Sequence, residues 1–279
     1  MHPNIDLIKP KEYDAAVTKM REFFRSKGFI ETPTQHRLSI LAACEDPTTI
    51  GTFNYAGKVW PLPQTGQMWL EYELLTKPDV PGYYCITTSY RNEANPIAGR
   101  HNLIFPMFEF ETHGGLPELQ KLETEMLASL GFGDPGSFQE VEYMDAAQHY
   151  GVEEIRAKEE AMMQEDYGPV TFLKNFPQYT SPFWNMKKKG DKANKIDVIL
   201  YGIETVGSAE RSTNPDEMNE LFHTISGGMY ANTLYAQFGK ERVEKELDEF
   251  LKHDFIPRCG GGIGVTRMIR AMKMVQMIP

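Results

Sequence analysis

Apolar residues recur at the helical period in several segments of the chain. The first segment covers residues 12–27, where Gly28 is placed to end a helix, and its apolar positions are Ala16, Val17, Met20, Phe23 and Phe24. The same period predicts a helix at residues 119–130, which the turn sequence GFGDPG ends. Three later segments predict further helices: PDEMNELFHTI, KERVEKELDEFLKHD and GVTRMIRAMKM.

Segments rich in aromatic and β-branched residues predict the strands. GYYCITTSYR and NLIFPMFEFETHG flank the turn-rich NEANPIAG and predict a long antiparallel hairpin. FIETPT reads as extended, PVTFLKNFP and KIDVILYGIE as two more strands, and RCGGGIG as a glycine-rich strand. Because the strands come as hairpins rather than βαβ units, we predict an α+β fold, with an antiparallel sheet flanked by helices. No repeat or linker divides the chain, so we expect a single domain over residues 1–279.

Composition and charge exclude several classes of protein. The chain has 279 residues, of which 41% are hydrophobic and 24% charged, as in ordinary globular proteins. Its net charge of −10 disfavours nucleic-acid binding, and its one basic run, KKKGDK, is typical of a solvated hairpin loop. The three cysteines are dispersed, which argues against a disulfide framework or a cysteine zinc site. No segment has the ~18 apolar residues of a membrane span and no signal peptide is evident, so we expect a cytoplasmic protein without a membrane partner.

The stretch SYRNEANPIAGRHNLIFPMFEFE concentrates candidate binding residues. Arg91 and Glu93 are predicted to share one face of the hairpin, and Arg100 and His101 stand where its loop returns. Arginine on a strand can hold a phosphate in a bidentate fork, and Phe105 can offer its ring to a flat heterocycle. A surface salt bridge between Arg91 and Glu93, beside core aromatics, explains the same residues, and the stretch alone leaves both interpretations open.

Two other segments add carboxylates and a third arginine. Asp197 and Glu204 bracket the strand predicted from IDVILYGIE, and they converge only if a bulge or bend intervenes, for which Gly202 is suited. Paired carboxylates near a triphosphate commonly hold Mg²⁺. Arg267 opens a helix after the glycine-rich strand, where a cation suits a nucleotide phosphate or ring. There is no P-loop motif, and CGGGIG lacks the spacing of a dinucleotide fingerprint.

These segments together resemble the class II aminoacyl-tRNA synthetases of the aspartate, asparagine and lysine subgroup. YRNE…GRHNLIFPMFEFE is similar to their motif 2, CGGGIGVTR to motif 3 and, more weakly, MREFFRSKGFIETPT to motif 1. PVTFLKNFPQYTSPFWNMK and DVILYGIETVGSAER resemble further segments of the subgroup, so the resemblance covers residues 11–273. It implies a six- or seven-stranded antiparallel sheet with flanking helices and a homodimer formed through motif 1.

The resemblance implies ATP as cosubstrate and assigns roles to the motif 2 residues. Arg91 would hold the α-phosphate of ATP and the substrate carboxylate, and Glu93 would support recognition of adenine or of an amino group. Arg100 and His101 would contact the β- and γ-phosphates, and Phe105 would stack under adenine.

The resemblance also implies roles for the later residues. Arg267 would cover the other face of adenine or contact the γ-phosphate, and Asp197 and Glu204 would hold Mg²⁺. Arg91 and Arg267 would then act on the reaction by neutralising charge and fixing the line of attack on the α-phosphorus. An ionised carboxylate nucleophile requires no general base.

The amino acid implied is of the aspartate or asparagine type. Arg211 stands where aspartate and asparagine enzymes carry arginine and lysine enzymes glutamate. TGQMWLE is similar to the SGQLxLE of asparaginyl enzymes, with Leu70 where aspartyl enzymes place lysine. Gln67 and Glu71 would hold the α-amino end, although Gln67 is also interpretable as a polar strand residue satisfied locally.

The chain departs from the family pattern in four places. Pro33 stands before the position of the motif 1 proline, near Gln35, so the dimer segment is expected to be rebuilt. Ile104 replaces a glutamate before the stacking phenylalanine, and Thr266 an acidic residue before the motif 3 arginine. Only residues 1–10 precede the matching region, so we expect no anticodon-binding barrel.

Three functions fit these features. The first is an aspartate–ammonia ligase, which makes asparagine through an aspartyl adenylate without tRNA. The second is a reduced ligase that aminoacylates tRNA or another macromolecule, and the third is a non-catalytic paralogue that binds ATP and an amino acid. Low positive charge disfavours tRNA, but the sequence leaves the acceptor open, and also the choice between aspartate and asparagine.

Overall fold

The computed structural model of the protein describes residues 7–34, 40, 46–97 and 101–278. Its strands, in chain order, are β1 (Ile30–Glu31), β2 (Thr52–Tyr55), β3 (Lys58–Pro61), β4 (Gly82–Tyr90), β5 (Ile104–His113), β6 (Gln139–Glu142), β7 (Val170–Pro177), β8 (Lys188–Lys189), β9 (Lys192–Leu200), β10 (Ile203–Glu210) and β11 (Arg258–Gly264). Its helices are α1 (Pro10–Ser26), α2 (Gln67–Thr76), α3 (Leu116–Ser129), α4 (Tyr143–Tyr150), α5 (Ala157–Asp166), α6 (Pro215–Thr224), α7 (Met229–Phe238), α8 (Lys240–Leu251) and α9 (Val265–Met274).

Within the described residues, nine strands form one sheet and β2 and β3 form a separate hairpin. The sheet runs in the order β1-β4-β5-β11-β10-β9-β7-β6, with β8 added beside β9. The six strands from β4 to β7 in this order are antiparallel, and β1 and β6 are parallel to their neighbours at the two edges. The predicted α+β fold, an antiparallel sheet flanked by helices, is confirmed.

Helix α1 forms where the period-3.6 pattern predicts it. Pro10 occupies its first turn, where a missing N–H costs nothing, and Gly28 follows its end with a φ of 82°. Phe24 is fully buried and its ring centroid lies 5.1 Å from that of Phe108 and 5.0 Å from that of Phe110. Burying one such ring contributes about 1.5–3 kcal/mol, so α1 is fixed against the hairpin of β4 and β5.

Two apolar cores lie on opposite faces of the sheet. The larger packs α1, α3 and α9 against one face, through residues such as Val206 and Ile263. The second gathers α6, α7 and α8 around the buried Trp184 and reaches the other face at Ala209. Side chains alternate along a strand, so the residues of each strand are divided between the two faces of the sheet. Helices cover the first face, and the second face leaves room for a cavity.

The basic run KKKGDK forms an exposed turn between two strands. Lys188 and Lys189 are exposed on β8, and Gly190, with a φ of 64°, turns the chain into β9, so the predicted solvated hairpin is confirmed. Among the helices of the described residues, none combines the length and apolar composition that crossing a bilayer requires.

Candidate functional site

A cavity of about 420 Å³ opens on the sheet face away from α1, α3 and α9. Strand pairing orders its floor into three rows that cross β5, β11 and β10, and adjacent rows lie two residues, about 7 Å, apart along the strands. The upper row holds Met107 and Gly264. The middle row, which reaches β9, holds Glu109, Gly262, Gly207 and Asp197. The lower row, which also reaches β9, holds Glu111, Gly260, Ala209 and Lys195.

Glycines keep the centre of this floor open. A Cβ atom on Gly262 would lie 2.7 Å from Met107 Cε, and one on Gly260 would overlap Glu111 Oε2 and the Phe110 carbonyl oxygen. Gly260 is required by packing because the Phe110 carbonyl belongs to the backbone, whereas the flexible end of Met107 could move away from a side chain at Gly262. Both glycines leave the strand backbone accessible to a ligand.

Arg91 and Glu93 line the cavity from the loop that follows β4. Since β4 ends at Tyr90, the prediction that both lie on the hairpin strand is wrong. The loop is fixed instead by Arg91, whose backbone N–H donates to the Leu103 carbonyl at 2.7 Å and whose Nε donates to Ser89 Oγ at 3.1 Å. Glu93 Oε2 lies 2.8 Å from His101 Nδ1, so the histidine is its partner across the loop.

The upper end of the cavity also contains the predicted stacking pair. Phe105 on β5 and Arg267 in the first turn of α9 both line it, and Arg267 Nη1 donates to the Glu204 carbonyl at 2.7 Å. Arg100, predicted to contact phosphates, lies outside the described residues. A flat ring would have an aromatic face and a guanidinium available at this end.

Asp197 and Glu204 converge above Gly207. A Cβ on that glycine would lie 3.1 Å from Glu204 Oε1 and 3.5 Å from Asp197 Oδ1. The single strand predicted for this segment is wrong, because Tyr201 and Gly202 form a turn with φ values of 51° and 74°, and the two acids lie on the separate strands β9 and β10. A register shift just after Glu204 supplies the irregularity that convergence was expected to need.

The carboxylate pair fits the donor set of Mg²⁺. Mg²⁺ in nucleotide sites is usually bound by one or two carboxylates, while phosphates and water supply the other oxygens. The described residues contain no group of three or more His, Cys, Asp or Glu side chains arranged to hold a metal. A tight all-protein metal site is therefore not formed here by the described residues, but a site completed by phosphate oxygens is compatible with the pair.

Arg211 lies at the lower end of the cavity, in a buried ion cluster of two arginines and two glutamates. Its guanidinium contacts Glu111 through two nitrogens, at 3.4 and 3.3 Å, and its Nε lies 3.6 Å from Glu71 Oε1. Arg258 donates to Glu71 Oε2 from Nε at 3.0 Å and from Nη2 at 2.8 Å. Arg211 is 4% exposed and lines the cavity, so it can present donors to a ligand without leaving its partners.

Gln67 and Glu71 both line the cavity, but on helix α2. The interpretation of Gln67 as a strand residue is wrong. Its Nε2 donates to the Phe110 carbonyl at 3.0 Å and to Glu111, while its buried Oε1 has no hydrogen-bond partner among the described residues. Glu71 is fully buried and also accepts a hydrogen bond from Asn185 Nδ2 at 2.7 Å, so both of its oxygens have partners within the protein.

Burial shifts the protonation of two further carboxyl groups in the floor. It raises the pKa of Glu111 to about 7, although the adjacent Arg211 guanidinium acts in the opposite direction. It also raises the pKa of Glu109, against hydrogen bonds from Thr65, Thr87 and the Gly66 backbone N–H. The lower and middle rows are therefore environments in which charge is costly unless it is matched.

The sequence did not identify several polar residues of this site, among them Glu109, Lys195, Arg258 and Asn185. Glu109 and Lys195 alternate with buried residues along their strands, which is the signal that could have placed them on the cavity face. Arg258 and Asn185 reach the ion cluster only through long-range packing, for which the local sequence carries no signal.

Comparison with known proteins places the chain beside synthetases. The family model described as tRNA synthetases class II (D, K and N) matches residues 11–278. A curated aspartate–tRNA(Asp) ligase from Pyrobaculum aerophilum is 30% identical over 106 residues, which are 38% of this chain and 22% of that protein.

Solved structures with the same fold come from archaea and eukaryotes. Asparaginyl-tRNA synthetase from Pyrococcus horikoshii, complexed with asparaginyl-adenylate, matches 96% of this chain with a TM-score of 0.76 and 20% identity. Aspartyl-tRNA synthetase from Entamoeba histolytica matches 96% with a TM-score of 0.68 and 17% identity. The chain covers 65% and 57% of those two chains, so it spans less than two thirds of the proteins it matches.

Proposed function

Since the chain belongs to the class II tRNA synthetase family (D, K and N), we propose that its cavity activates an amino acid of the aspartate or asparagine type as an adenylate. The observation that carries this proposal is the convergence of three kinds of group on one cavity: the cations Arg91 and Arg267, the carboxylate Glu204 with Asp197 beside it across Gly207, and the buried Arg211. The first two kinds suit a nucleoside triphosphate, and the third suits the polar end of an amino acid.

The proposed reaction balances without a general base. An oxygen of the substrate carboxylate bonds to the α-phosphorus, the bond from that phosphorus to the bridging oxygen breaks, and pyrophosphate leaves with the electron pair. Arg91 and Arg267 neutralise charge on the phosphates, and Gln67 Oε1 accepts from the substrate ammonium. A magnesium ion held by Asp197 and Glu204 would supply further neutralisation of the phosphate charge.

We propose ammonia as the acceptor, so that the product from aspartate is asparagine. Ammonia bonds to the carbonyl carbon of the adenylate, AMP leaves, and a proton is released to solvent. The net charge of −10 supports a small acceptor, because binding of a polyanion requires several phosphate contacts with lysine or arginine. Even in the exposed basic hairpin two lysines have acidic partners: Lys187 Nζ lies 2.6 Å from Glu210 and Lys192 Nζ 3.8 Å from Glu142.

Aminoacylation of tRNA is the second candidate, favoured by the names of the relatives. The Pyrobaculum relative is a tRNA ligase, but it shares 106 residues with this chain. A non-catalytic paralogue is the third, and the presence of Arg91, Arg211 and Arg267 together on one ligand-sized cavity argues against it.

We also propose that the family homodimer forms through α1 and β1. Strand β1 lies at the sheet edge and Ile30 on it is 47% exposed, which suits burial against a second copy. Gln35, near the family proline position, lies outside the described residues. Sedimentation of the protein and of an Ile30→Lys variant tests this point, because a dimer through β1 predicts dissociation of the variant.

The function is tested by an AMP-release assay with ATP, Mg²⁺ and one amino acid at a time. We expect aspartate-dependent AMP that increases with ammonium and is accompanied by asparagine. Charged tRNA is measured in parallel on acid gels. tRNA charging without ammonium-dependent asparagine would establish the second candidate, and absence of any amino-acid-dependent AMP would establish the third.

A further inference from the structure

Lys195 is a cation on the cavity wall that the proposed reaction does not use. It lies on β9, its side chain is 13% exposed, and its Nζ lies 3.4 Å from Asp197 Oδ2. The same nitrogen lies 4.4 Å from the centre of the Phe176 ring. A carboxylate and an aromatic face thus hold the ammonium group at the edge of the cavity.

The row that contains Lys195 places its backbone at the lower end of the cavity, and its ammonium group reaches Asp197 of the middle row. Lys195 pairs with Ala209, and Ala209 pairs with Gly260, whose carbonyl accepts from Arg211 Nη2 at 3.1 Å. Two strand spacings, about 10 Å, separate the backbones of Lys195 and Gly260. Phe105 lies at the opposite, upper end, so Lys195 borders the space proposed for the amino acid rather than that for the nucleotide base.

Charge balance distinguishes Lys195 from Arg211. The buried ion cluster contains two arginines and two glutamates, so Arg211 offers hydrogen-bond donors in a neutral surrounding. Lys195 is balanced by Asp197, which is also a proposed metal ligand. A divalent cation on Asp197 and Glu204 would take over the charge of both carboxylates, and the ammonium would then favour an anion from the ligand.

We propose that Lys195 binds the carboxylate of the substrate that does not react with ATP, and so makes the site selective for a dicarboxylic amino acid. This inference rests on the proposed function, because it assumes that an amino acid occupies the lower end of the cavity. A charge-assisted hydrogen bond between ammonium and carboxylate is shorter and stronger than a neutral one, and an analogue without the second carboxylate forfeits it.

The test measures binding of aspartate and of two monocarboxylate analogues, alanine and β-alanine, by calorimetric titration. In the Lys195→Met variant we expect aspartate and alanine, which both carry the α-carboxylate that does not react with ATP, to bind about 10- to 100-fold more weakly, the range for loss of one charged hydrogen bond, while β-alanine, which lacks this group, binds as to wild type. Lys195→Arg should retain most of the affinity for aspartate. Lys192→Met, on the same strand outside the cavity, is the matched control and should leave every affinity unchanged.

Kinetics separate this role from a positioning role toward Asp197. We expect Lys195→Met to raise the KM for aspartate and leave the KM for ATP unchanged. A variant that changes only the ATP or Mg²⁺ dependence, or weakens aspartate and both analogues equally, would overturn the inference. If wild type releases no AMP with aspartate and any acceptor, the proposed function fails, and the calorimetric comparison still decides the role of Lys195.

Discussion

The residues of the buried ion cluster contribute to ligand binding and to folding at the same time, although they come from separate motifs of the sequence. Arg211 was predicted as a ligand-binding residue, and the structure also makes it the partner of Glu111 and Glu71. A buried ion pair stabilises a fold only slightly when intact, but removal of one member leaves an uncompensated charge. Arg211 is therefore expected to affect folding and binding together.

Replacement of Arg211 by alanine should lower the free energy of unfolding by about 3–5 kcal/mol, because Glu71 and Glu111 would lose a buried counter-charge. Urea denaturation measures the change. Arg156→Ala is the control, since Arg156 is 75% exposed beside Glu154 and exposed pairs contribute about 0–1 kcal/mol. Equal stabilities of the two variants would contradict the burial of Arg211 in the cluster. Where the variant folds, it should still bind ATP and release no AMP with aspartate.

Glu204→Gln should weaken the Mg²⁺ dependence of AMP release, because one anionic oxygen is removed from the proposed metal pair. The titration of activity with Mg²⁺ should shift to concentrations about tenfold higher or more, which corresponds to about 1.4 kcal/mol. Glu165→Gln, an exposed carboxylate on α5, should leave the titration unchanged. A Glu204→Gln enzyme with the wild-type Mg²⁺ titration would remove Glu204 from the metal site.

At the scale of elements, the helices and strands that could be predicted were those whose own sequence carries a helical apolar period or a strand-like composition. Helices α1, α3, α6, α8 and α9 follow from the apolar period, and β4, β5, β7 and β11 from their composition. Helix α2 was missed because Glu71 and Glu73 are buried together with its apolar residues, so the helix has no polar face that would reveal its period. The segment around Gly202 was predicted as one strand in which this glycine permits a bend, because apolar residues continue on both sides of it. The chain does turn at Gly202, but the pairing of β9 with β10 makes the segment two strands.

Gly260→Ala should destabilise β11 by about 1–3 kcal/mol or more, because its Cβ would overlap Glu111 Oε2 and the Phe110 carbonyl. Gly264→Ala is a matched control on the same strand, because its nearest neighbour, Arg267 Cδ, would lie 3.6 Å away. Thermal unfolding of both variants measures the difference. If Gly260→Ala and Gly264→Ala unfold at the same temperature, the close packing described for Gly260 in the cavity floor would be contradicted.

Glu123, on α3, makes the folding stability of the protein depend on pH. It is fully buried against the sheet, neither carboxylate oxygen has a partner of hydrogen-bonding geometry among the described residues, and burial raises its pKa to about 8. Between the ordinary value of 4.5 and 8 the folded protein keeps a proton that the unfolded chain has released. Stability therefore falls as pH rises through this window, by up to about 5 kcal/mol from this group.

Glu123→Gln should remove this contribution to the pH dependence. We expect the variant to gain stability relative to wild type as pH rises from 5 to about 8, with little difference at the acidic end. Denaturant unfolding at several pH values measures the two curves, and Glu165→Gln serves as the exposed control. Parallel curves for wild type and Glu123→Gln would show that Glu123 titrates normally.

At the scale of the whole molecule, we propose that the sheet and both cores act as one catalytic domain, as the absence of a linker in the sequence led us to expect. The upper, middle and lower rows of the cavity come from β5, β11, β10 and β9, which are distant in sequence. The order of the motifs predicted which residues would meet, but only the register of these strands places Lys195 beside the same space. Long-range register has no local signature, and this is why Lys195 could not be assigned to the site from the sequence, whereas Arg211, Gln67 and Glu71 were.

The most direct measurement of the central claim follows an oxygen atom. Aspartate that carries heavy oxygen in its side-chain carboxylate is incubated with ATP, Mg²⁺ and ammonium, and the AMP is analysed by mass spectrometry. If the carboxylate attacks the α-phosphorus, cleavage of the adenylate leaves one labelled oxygen on AMP, and asparagine retains the other. AMP without label, or no AMP that depends on aspartate, would contradict activation of the side-chain carboxylate at this cavity.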